Sequence, residues 1–355
     1  MFAHGIGIAA GVVADALLGD PRRGHPVAVF GSVAAALERR TYSDDRRAGV
    51  LHTAALLTAV GVMGAAAEQA GRRRGTVAEA ACVAAATFVA AGGTTLCRTG
   101  ERMAQMLRDG EVDGARRLLP SLCGRDPSVL DAPGLTRAAL ESIAENTSDA
   151  QIGPLLWAAV GGTPAVLVYR AANTLDAMIG NRSPRYTRFG WAAARFDDLV
   201  NLAPARATGL LVMACAPLVG GSPTGAWRAW RRDAAKHPSP NAGVAEATFA
   251  GALGIRLGGP TQYAHQLEIR PTLGDGRVPD VDDLARAVRL SRAVQALAAV
   301  VAVSAACRSG RRASARWLAV HGCHRFRRTG CLLPPSRACG YGSRNTRSSR
   351  RRSAR

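Results

Sequence analysis

The stretch "ALESIAENTSDAQIGPLLWAAVGGTPAVLVYR", residues 139–170, changes character halfway along and decides the fold class. Its first part is polar and carries three carboxylates, Glu141, Glu145 and Asp149. Its second part is apolar over nearly the ~20 residues that a helix needs to cross a bilayer, and two glycines and a proline interrupt it at 161–164. A polar start before a broken apolar segment is typical of membrane proteins that keep a polar site at the edge of the bilayer.

Six stretches of the chain approach the length of a membrane span: 2–18, 50–67, 76–96, 152–172, 203–220 and 288–307. They are rich in Ala and Gly, which permit close helix packing in lipid. They predict an all-α fold, a polytopic membrane helical bundle of about four to six apolar segments joined by ordered polar helical loops. Because 152–172 and 203–220 contain Gly, Pro or Arg, one or two segments are predicted to be re-entrant. The alternative is a soluble all-α protein with buried Ala-rich helices, since several runs barely reach spanning length.

The positive charge of the chain is concentrated at its C-terminal end. The net charge is +20, but residues 308–355 carry 14 Arg and no Lys, Asp or Glu, which leaves a net +6 on residues 1–307. This distribution argues against a folded basic face, so no nucleic acid is expected as a partner. We expect 1–307 to form a single membrane domain and 308–355 to be an Arg-rich tail, disordered or from an altered reading frame.

The loops predict an orientation in the membrane. If all six segments cross fully, loops 19–49, 97–151 and 221–287 share one side and carry 21 Lys and Arg, against 7 in the loops on the other side. The side richer in Lys and Arg is usually cytoplasmic. We therefore expect a multi-pass protein of the cell (plasma) membrane with its active loops in the cytoplasm.

The three carboxylates of the opening stretch predict a positively charged partner. Glu141, Glu145 and Asp149 are spaced i, i+4 and i+8, so they stack on one face of a helix. Like charges at this spacing oppose the helix by a few tenths of a kcal/mol per pair. A magnesium ion or an Arg-rich loop would compensate, and the alternative is a solvated helix face.

Three further segments combine carboxylates, amides and basic groups next to Gly or Pro. "GDPRRGHPV" (19–27) supplies Asp20 and His25. "YRAANTLDAMIGNRSPRYTRFGWAAARFDDLVN" (169–201) supplies Asn173, Asp176, Arg182, Arg185, Tyr186, Arg195, Asp197 and Asp198. "RRDAAKHPSPNAGVAE" (231–246) supplies His237, Ser239, Asn241 and Glu246. Arg suits bidentate contacts with phosphate or carboxylate, although a basic patch at the membrane surface is an alternative for the arginines. No Walker-type loop is present, so a nucleotide would have to bind in another way.

The motifs together resemble one family. "GDP…HPV", "GRD", "AENT-x-D", "NTLD-x-M-x-G", "AR-x-DD", "PAR", "SPN" and "AGALGI-x-LGGP-x-x-Y" occur in this order between about residues 6 and 307. They resemble the CobD/CbiB family, the adenosylcobinamide-phosphate synthases of cobalamin biosynthesis. The resemblance implies a ligase that joins the f-side propionate of adenosylcobyric acid to aminopropanol or its O-phosphate, with ATP and magnesium. Asn181 stands where the family commonly has Tyr, and the resemblance stops at about residue 307.

Under this resemblance each polar residue receives an expected role. Those expected to act in catalysis are Glu141, Glu145, Asp176, His25 and His237, with either histidine accepting a proton from the attacking ammonium. Those expected to hold Mg²⁺ are Glu141, Glu145 and Asp149. Those expected to bind substrate are Asp20, Asn146, Asn173, Arg182, Arg185, Tyr186, Arg195, Asp197, Asp198, Arg206, Ser239, Asn241 and Glu246.

The expected partners are cobyric acid, aminopropanol or its phosphate, the lipid bilayer and other late cobalamin enzymes. Two further interpretations stay open: a corrinoid transporter, because broken intramembrane helices also mark transport paths, and a non-catalytic membrane scaffold for the late cobalamin enzymes.

Overall fold

The computed structural model describes residues 2–21, 24–181, 183–262 and 267–326. The helices in these ranges are α1 (Phe2–Leu18), α2 (Pro26–Thr41), α3 (Arg46–Arg74), α4 (Thr76–Ala90), α5 (Gly93–Arg108), α6 (Val112–Leu118), α7 (Ala132–Thr147), α8 (Gly153–Ile179), α9 (Tyr186–Phe189), α10 (Trp191–Cys215), α11 (Pro223–Asp233), α12 (Ala242–Leu253) and α13 (Val281–Phe326). A π-helical turn, Ser148–Ile152, joins α7 to α8. Strands β1 (Leu257–Gln262) and β2 (Leu267–Leu273) form an antiparallel pair.

The chain divides into two compact units, Met1–Arg311 and Arg312–Arg355. The boundary expected at residue 307 lies inside α13, which continues to Phe326. Residues 327–355 lie outside the described ranges, so the interpretation of 308–355 as a disordered or altered-frame tail stays a prediction.

The predicted all-α membrane bundle is confirmed. In the described part of the chain, five helical segments are long and apolar enough to cross a membrane: Arg46–Arg74, Thr76–Arg108, Ala132–Ile179, Leu202–Val219 and Val281–Arg308. Helix α1 corresponds to the predicted segment 2–18 and is a shorter apolar helix. Segment 203–220 lies mostly in α10, which continues through Pro204 without a break to Cys215.

Helix α8 is a hairpin with two arms. In a straight helix, residues 149 and 169 would lie about 30 Å apart, yet the Tyr169 hydroxyl oxygen lies only 3.0 Å from the carbonyl oxygen of Asp149. The chain reverses at Gly162, whose φ of 63° and ψ of −148° fall in a region that essentially only glycine occupies. The predicted interruption of 152–172 is therefore confirmed as a reversal, and the loop count that treated this segment as one crossing is wrong.

A carboxylate from α3 satisfies the backbone at this reversal. The Thr163 N–H donates to Glu68 Oε2 at 2.7 Å. Glu68 also pairs with Arg72 one turn further along α3, and His4 Nε2 lies 3.2 Å from Glu68 Oε1. Arg72 in turn donates to Glu79 at 2.9 Å. A break inside an apolar bundle is tolerated because a buried partner replaces the lost helical hydrogen bond.

The bundle has two ends, which we call the turn end and the loop end. The turn end is where Gly162 lies against Glu68 and His4, and the loop end is where the Gly92 N–H donates to the Ala150 carbonyl. Within the described residues, six segments run between them: α1, α3, α4, the two arms of α8 and the middle of α13. The connections after α1, after α4 and after α8 therefore all emerge at the loop end.

Helices α10, α11 and α12 and the two strands form the wall of the loop end. Every residue of α12 is buried, and the Trp230 ring of α11 packs against Gly209 of α10. Arg137 of α7 donates to the carbonyl oxygens of Gly258 and Pro260 in β1, at 3.0 and 2.7 Å. These contacts hold the strand pair against the helices that carry the carboxylates of the opening stretch.

Candidate active site

A cavity of about 740 Å³ opens at the loop end. Six carboxylates line it: Glu145, Asp149, Asp176, Asp197, Asp198 and Glu268. Arg270 is the one lining residue with a permanent positive charge among those that the structure describes. Asn201, His237, Ser239 and Asn241 also line the cavity. The site is therefore strongly acidic, and its walls come from α7, α8, α10, β2 and the loop before α12.

The reversal of α8 brings the first carboxylates together. Asp149 precedes the first arm and Asp176 lies near the end of the second, 13 and 14 residues from Gly162 respectively. At 1.5 Å per residue both lie about 20 Å from the turn, at the same level of the bundle. Six full crossings would place the polar loops 97–151 and 173–202 on opposite sides of the membrane. Because of the reversal, residues of both loops line the same cavity.

Asp197 has the most perturbed environment of the α10 residues. Its Oδ2 accepts a hydrogen bond from Asn201 Nδ2 at 3.0 Å, and its Oδ1 has no hydrogen-bond partner among the described residues. Burial, together with the negative charges of Asp176 and Asp198, raises the pKa of Asp197 to about 8. This carboxyl group is thus poised to exchange a proton for a cation near neutral pH.

The loop before α12 presents a neutral histidine. His237 is buried, with its Nδ1 3.1 Å from Ser239 N and 3.2 Å from Ser239 O. Burial and the nearby Arg270 lower the pKa of His237, which keeps the imidazole neutral at pH 7. Asn241 fixes the end of this loop, because its Nδ2 donates to the Asp198 carbonyl and its Oδ1 accepts from Arg206, both at 2.7 Å.

Glu246 lies beneath the cavity wall and faces two basic groups. Its side chain is fully buried, 3.6 Å from Arg270 Nη1 and 3.7 Å from His237 Nε2. Neither carboxylate oxygen has a hydrogen-bond partner among the described residues. Burial, reinforced by Glu141 and Glu145, raises the pKa of Glu246 well above its usual range. The group that we predicted to bind substrate therefore lies behind His237 and Arg270.

Glu141 binds partners outside the cavity, unlike its two predicted companions. It pairs with the buried Arg125 and accepts a hydrogen bond from the Gly258 N–H at 2.7 Å. Glu145 and Asp149 line the cavity, but Glu141 joins the loop around Arg125 and strand β1 to α7. The spacing correctly places all three carboxylates along one side of the helix, while the partners of Glu141 come from distant parts of the chain.

Asp20 and His25 lie at the turn between α1 and α2 rather than among the lining residues of the cavity. His25 caps α2 through Nδ1, which accepts from the Val27 N–H at 3.1 Å. Its Nε2 is 3.9 Å from Asp20 Oδ1, and the Asp20 N–H donates to Thr95 at 3.0 Å. These contacts give both residues a role in joining α1, α2 and α5.

The other predicted residues occupy positions around the cavity or beyond it. Arg195 pairs with Asp198 at 3.3 Å on the rim. Arg185 and Tyr186 both contact the Glu38 carboxylate of α2, at 2.9 and 3.0 Å. The remaining contacts are local: Asn146 donates to Ser142, and Asn173 accepts from Arg170. Arg182 lies outside the described residues.

Sequence reasoning missed Arg270 and Glu268 of β2. The segment "LEIRPTL" places Glu268 and Arg270 two residues apart, which puts both on one face of a strand. This pairing of an acid and a base on one strand face is the signal that could have identified them. The strand follows directly after the last of the motifs but contains none of their residues, so its place in the site was not recognised.

The cavity fits a hydrated magnesium ion better than a tightly caged metal. In the ranges that the structure describes, one group of three His, Asp or Glu side chains has its ligand atoms within 4.8 Å of one another: His4, Glu68 and Glu79, at the turn end. Arg72 already pairs with both of those carboxylates. The cavity carboxylates are spaced more widely, which suits Mg²⁺ because it keeps several waters and uses one or two carboxylates. Asp197, which lines the cavity and whose Oδ1 has no hydrogen-bond partner among the described residues, is a candidate for such a ligand.

Comparison with known proteins identifies the family. The family model described as "CobD/Cbib protein" matches residues 8–291. The chain belongs to the CobD/CbiB family. A protein of Mycobacterium tuberculosis named "Cobalamin biosynthesis protein CobD" is 64% identical over 298 residues, covering 84% of this chain and 94% of that protein.

More distant members of the CobD/CbiB family carry the same name. The protein of Geobacter metallireducens is 45% identical over 277 residues, 76% of this chain and 86% of its own length. That of Chromobacterium violaceum is 39% identical over 298 residues, 82% of this chain and 93% of its own length. No solved structure matches the chain significantly. The resemblance read from the ordered motifs is confirmed.

Proposed function

We propose that the chain is a membrane-bound acid–amine ligase of cobalamin biosynthesis. It joins the f-side propionate of adenosylcobyric acid to aminopropanol or its O-phosphate and uses ATP and Mg²⁺. The family and the printed names of its relatives support the role in cobalamin biosynthesis. The observation that carries the finer proposal is the single acidic cavity, which unites polar motifs from four separate segments of the chain.

The chemistry of amide formation explains the need for such a cavity. A carboxylate is a poor acyl donor, so it is first activated: its oxygen attacks the γ-phosphorus of ATP, ADP leaves, and an acyl phosphate is formed. The amine nitrogen then attacks the acyl carbon, phosphate leaves and the nitrogen loses a proton. A Mg²⁺ ion, when bound, would supply positive charge to offset that of the phosphate groups. Glu145, Asp149, Asp176 and Asp197 are placed to hold it through oxygen atoms and water.

The remaining lining residues divide between the two ends of the reaction. Arg270 is suited to anionic oxygens of phosphate or of the propionate. Asp198 of α10 also lines the cavity and is suited to bind an ammonium group. Neutral His237 also lines the cavity and is suited to take up the proton that the amine releases.

A reconstituted assay tests this function. Purified protein in detergent or vesicles is incubated with adenosylcobyric acid, ATP, Mg²⁺ and each amine in turn, and amide product is measured by mass spectrometry. We expect Glu145→Gln to lower kcat by roughly 100-fold or more, as loss of transition-state electrostatic stabilisation does. The control is Glu111→Gln, which removes one exposed carboxylate that does not line the cavity and should keep full activity. Corrinoid uptake into vesicles without amide product would overturn the proposal in favour of a transporter.

A further inference from the structure

A series of hydrogen bonds runs from the α8 hairpin to Asp197 in the cavity wall. Tyr169, on the second arm, is fully buried, and its hydroxyl lies 2.8 Å from Asn201 Oδ1. Asn201 is also fully buried, and its Nδ2 donates to Asp197 Oδ2 at 3.0 Å and to the Asp197 carbonyl at 3.1 Å. Of the three residues in this series of hydrogen bonds, only Asp197 has a side chain that can carry a negative charge near neutral pH.

These hydrogen bonds fix the orientation of the Asn201 side-chain amide. A side-chain amide has one acceptor end and one donor end, and its neighbours decide which end points where. The Tyr169 hydroxyl supplies a donor to Oδ1, which leaves Nδ2 facing Asp197. The same hydroxyl lies 3.0 Å from the Asp149 carbonyl oxygen in the π-helical turn. Tyr169 therefore touches both the backbone that carries Asp149 and the amide that holds Asp197.

The consequence appears at the carboxylate itself. Asp197 is nearly buried and lines the cavity. Because Asn201 occupies Oδ2, rotation of the carboxylate would break that hydrogen bond. Oδ1 is left without a hydrogen-bond partner among the described residues, although a buried carboxylate oxygen is costly to leave unpaired. An unpaired oxygen held in one orientation at the wall of an acidic cavity points to a ligand that the protein itself does not supply.

We propose that Tyr169 and Asn201 are positioning residues that hold the Asp197 carboxylate, which lines the cavity, in one orientation for a divalent cation. The inference rests on the cation of the proposed function, but not on the identity of the corrinoid or of the amine. Groups that hydrogen-bond to metal ligands orient them, and their loss commonly costs ~10- to 100-fold in metal affinity. Sequence reasoning gave Tyr169 no role, because a tyrosine inside an apolar segment reads as part of the core.

Binding of Mn²⁺ alone tests the inference without substrate. Free Mn²⁺ is measured by electron paramagnetic resonance as the ion is titrated into the full chain purified in detergent. We expect Tyr169→Phe, which keeps the ring and removes the hydroxyl, to weaken Mn²⁺ binding by about 10-fold. Asn201→Ala is a second variant with the same expected loss. Tyr42→Phe is the matched control, because its hydroxyl donates to the Arg185 carbonyl outside the cavity, and it should bind Mn²⁺ like the wild type.

A second arm separates positioning from general destabilisation. In an Asp197→Asn background, Tyr169→Phe should cause no further loss of Mn²⁺ affinity, whereas a structural role would still lower it. In the ligase assay Tyr169→Phe should raise the Mg²⁺ concentration needed for half-maximal rate and leave kcat at saturating Mg²⁺ within about threefold. Wild-type affinity in both Tyr169→Phe and Asn201→Ala, or a wild-type protein that binds no Mn²⁺, would overturn the inference. Weakened Mn²⁺ binding in a chain that makes no amide would instead refute the proposed function alone.

Discussion

Replacing Gly162 by alanine should unfold the hairpin that builds the site. The backbone there has φ +63° and ψ −148°, a conformation that costs a residue with a side chain about 1–3 kcal/mol. A β-carbon would also collide with Glu68 Oε2 and lie 2.8 Å from His4 Cε1. Overpacking of this kind costs about 1–3 kcal/mol more. The sum, about 2–6 kcal/mol, corresponds to a fall of at least about 3 °C in the unfolding midpoint of a chain of this size.

The assay is thermal unfolding of detergent-purified protein, followed by the amount of monodisperse protein left after heating. Gly31→Ala is the matched control. Gly31 lies in α2, and a β-carbon there would meet only Met178 Sδ, at an ordinary 3.5 Å. Alanine at that position should hold or slightly raise the midpoint, because glycine is the poorer helix former by about 1 kcal/mol. A Gly162→Ala protein with the wild-type midpoint and wild-type activity would refute the account of the reversal.

Three other changes have defined outcomes. Arg125→Met leaves the buried Glu141 without its ion-pair partner and should lower the free energy of unfolding by about 3–5 kcal/mol. The unfolding midpoint should fall strongly, and that of Arg125→Lys should be intermediate. An unchanged midpoint would contradict a structural role for this pair. Arg185→Ala breaks a half-exposed ion pair outside the cavity and should cost less than about 1 kcal/mol with unchanged KM for corrinoid and amine, whereas a raised KM would restore Arg185 to the substrate site. Because the pKa of Asp197 is raised to about 8, a cation must displace its proton below that pH. Mn²⁺ affinity should therefore rise by up to about tenfold per pH unit between pH 6 and 8 and level off above pH 8. Asp197→Asn should remove this pH dependence, and a dependence that persists in Asp197→Asn would show that another group is responsible.

The apolar segments were predictable because each is a local property of the sequence. Spanning helices need length and apolar composition, and both can be counted directly. The reversal inside 152–172 was only half predictable. Gly162 and Pro164 predict a break, but whether the chain kinks or turns back depends on the Glu68 carboxylate. Glu68 accepts a hydrogen bond from the Thr163 N–H, although the two residues are 95 positions apart in the sequence.

The site was predictable where a residue's partners are other members of the cavity. Glu145, Asp149 and Asp176, which the sequence motifs singled out, all line the cavity. Glu141 shares their helical face, yet its partners Arg125 and Gly258 belong to segments that helical spacing does not describe. The same limit applies to every group whose environment is set by long-range contacts, because periodicity reports which side of a helix a residue occupies and not what covers that side.

The chain reversal at Gly162 has a consequence for the compartment from which the reactants would bind. Since the connections after α1, α4 and α8 emerge together at the loop end, corrinoid, amine and nucleotide would all be drawn from one aqueous phase, with no gradient consumed in bringing them together. Sealed vesicles that carry the protein in a single orientation would then turn over externally added, impermeant ATP either fully or not at all. Permeabilising the inactive population would release the whole of its hidden activity.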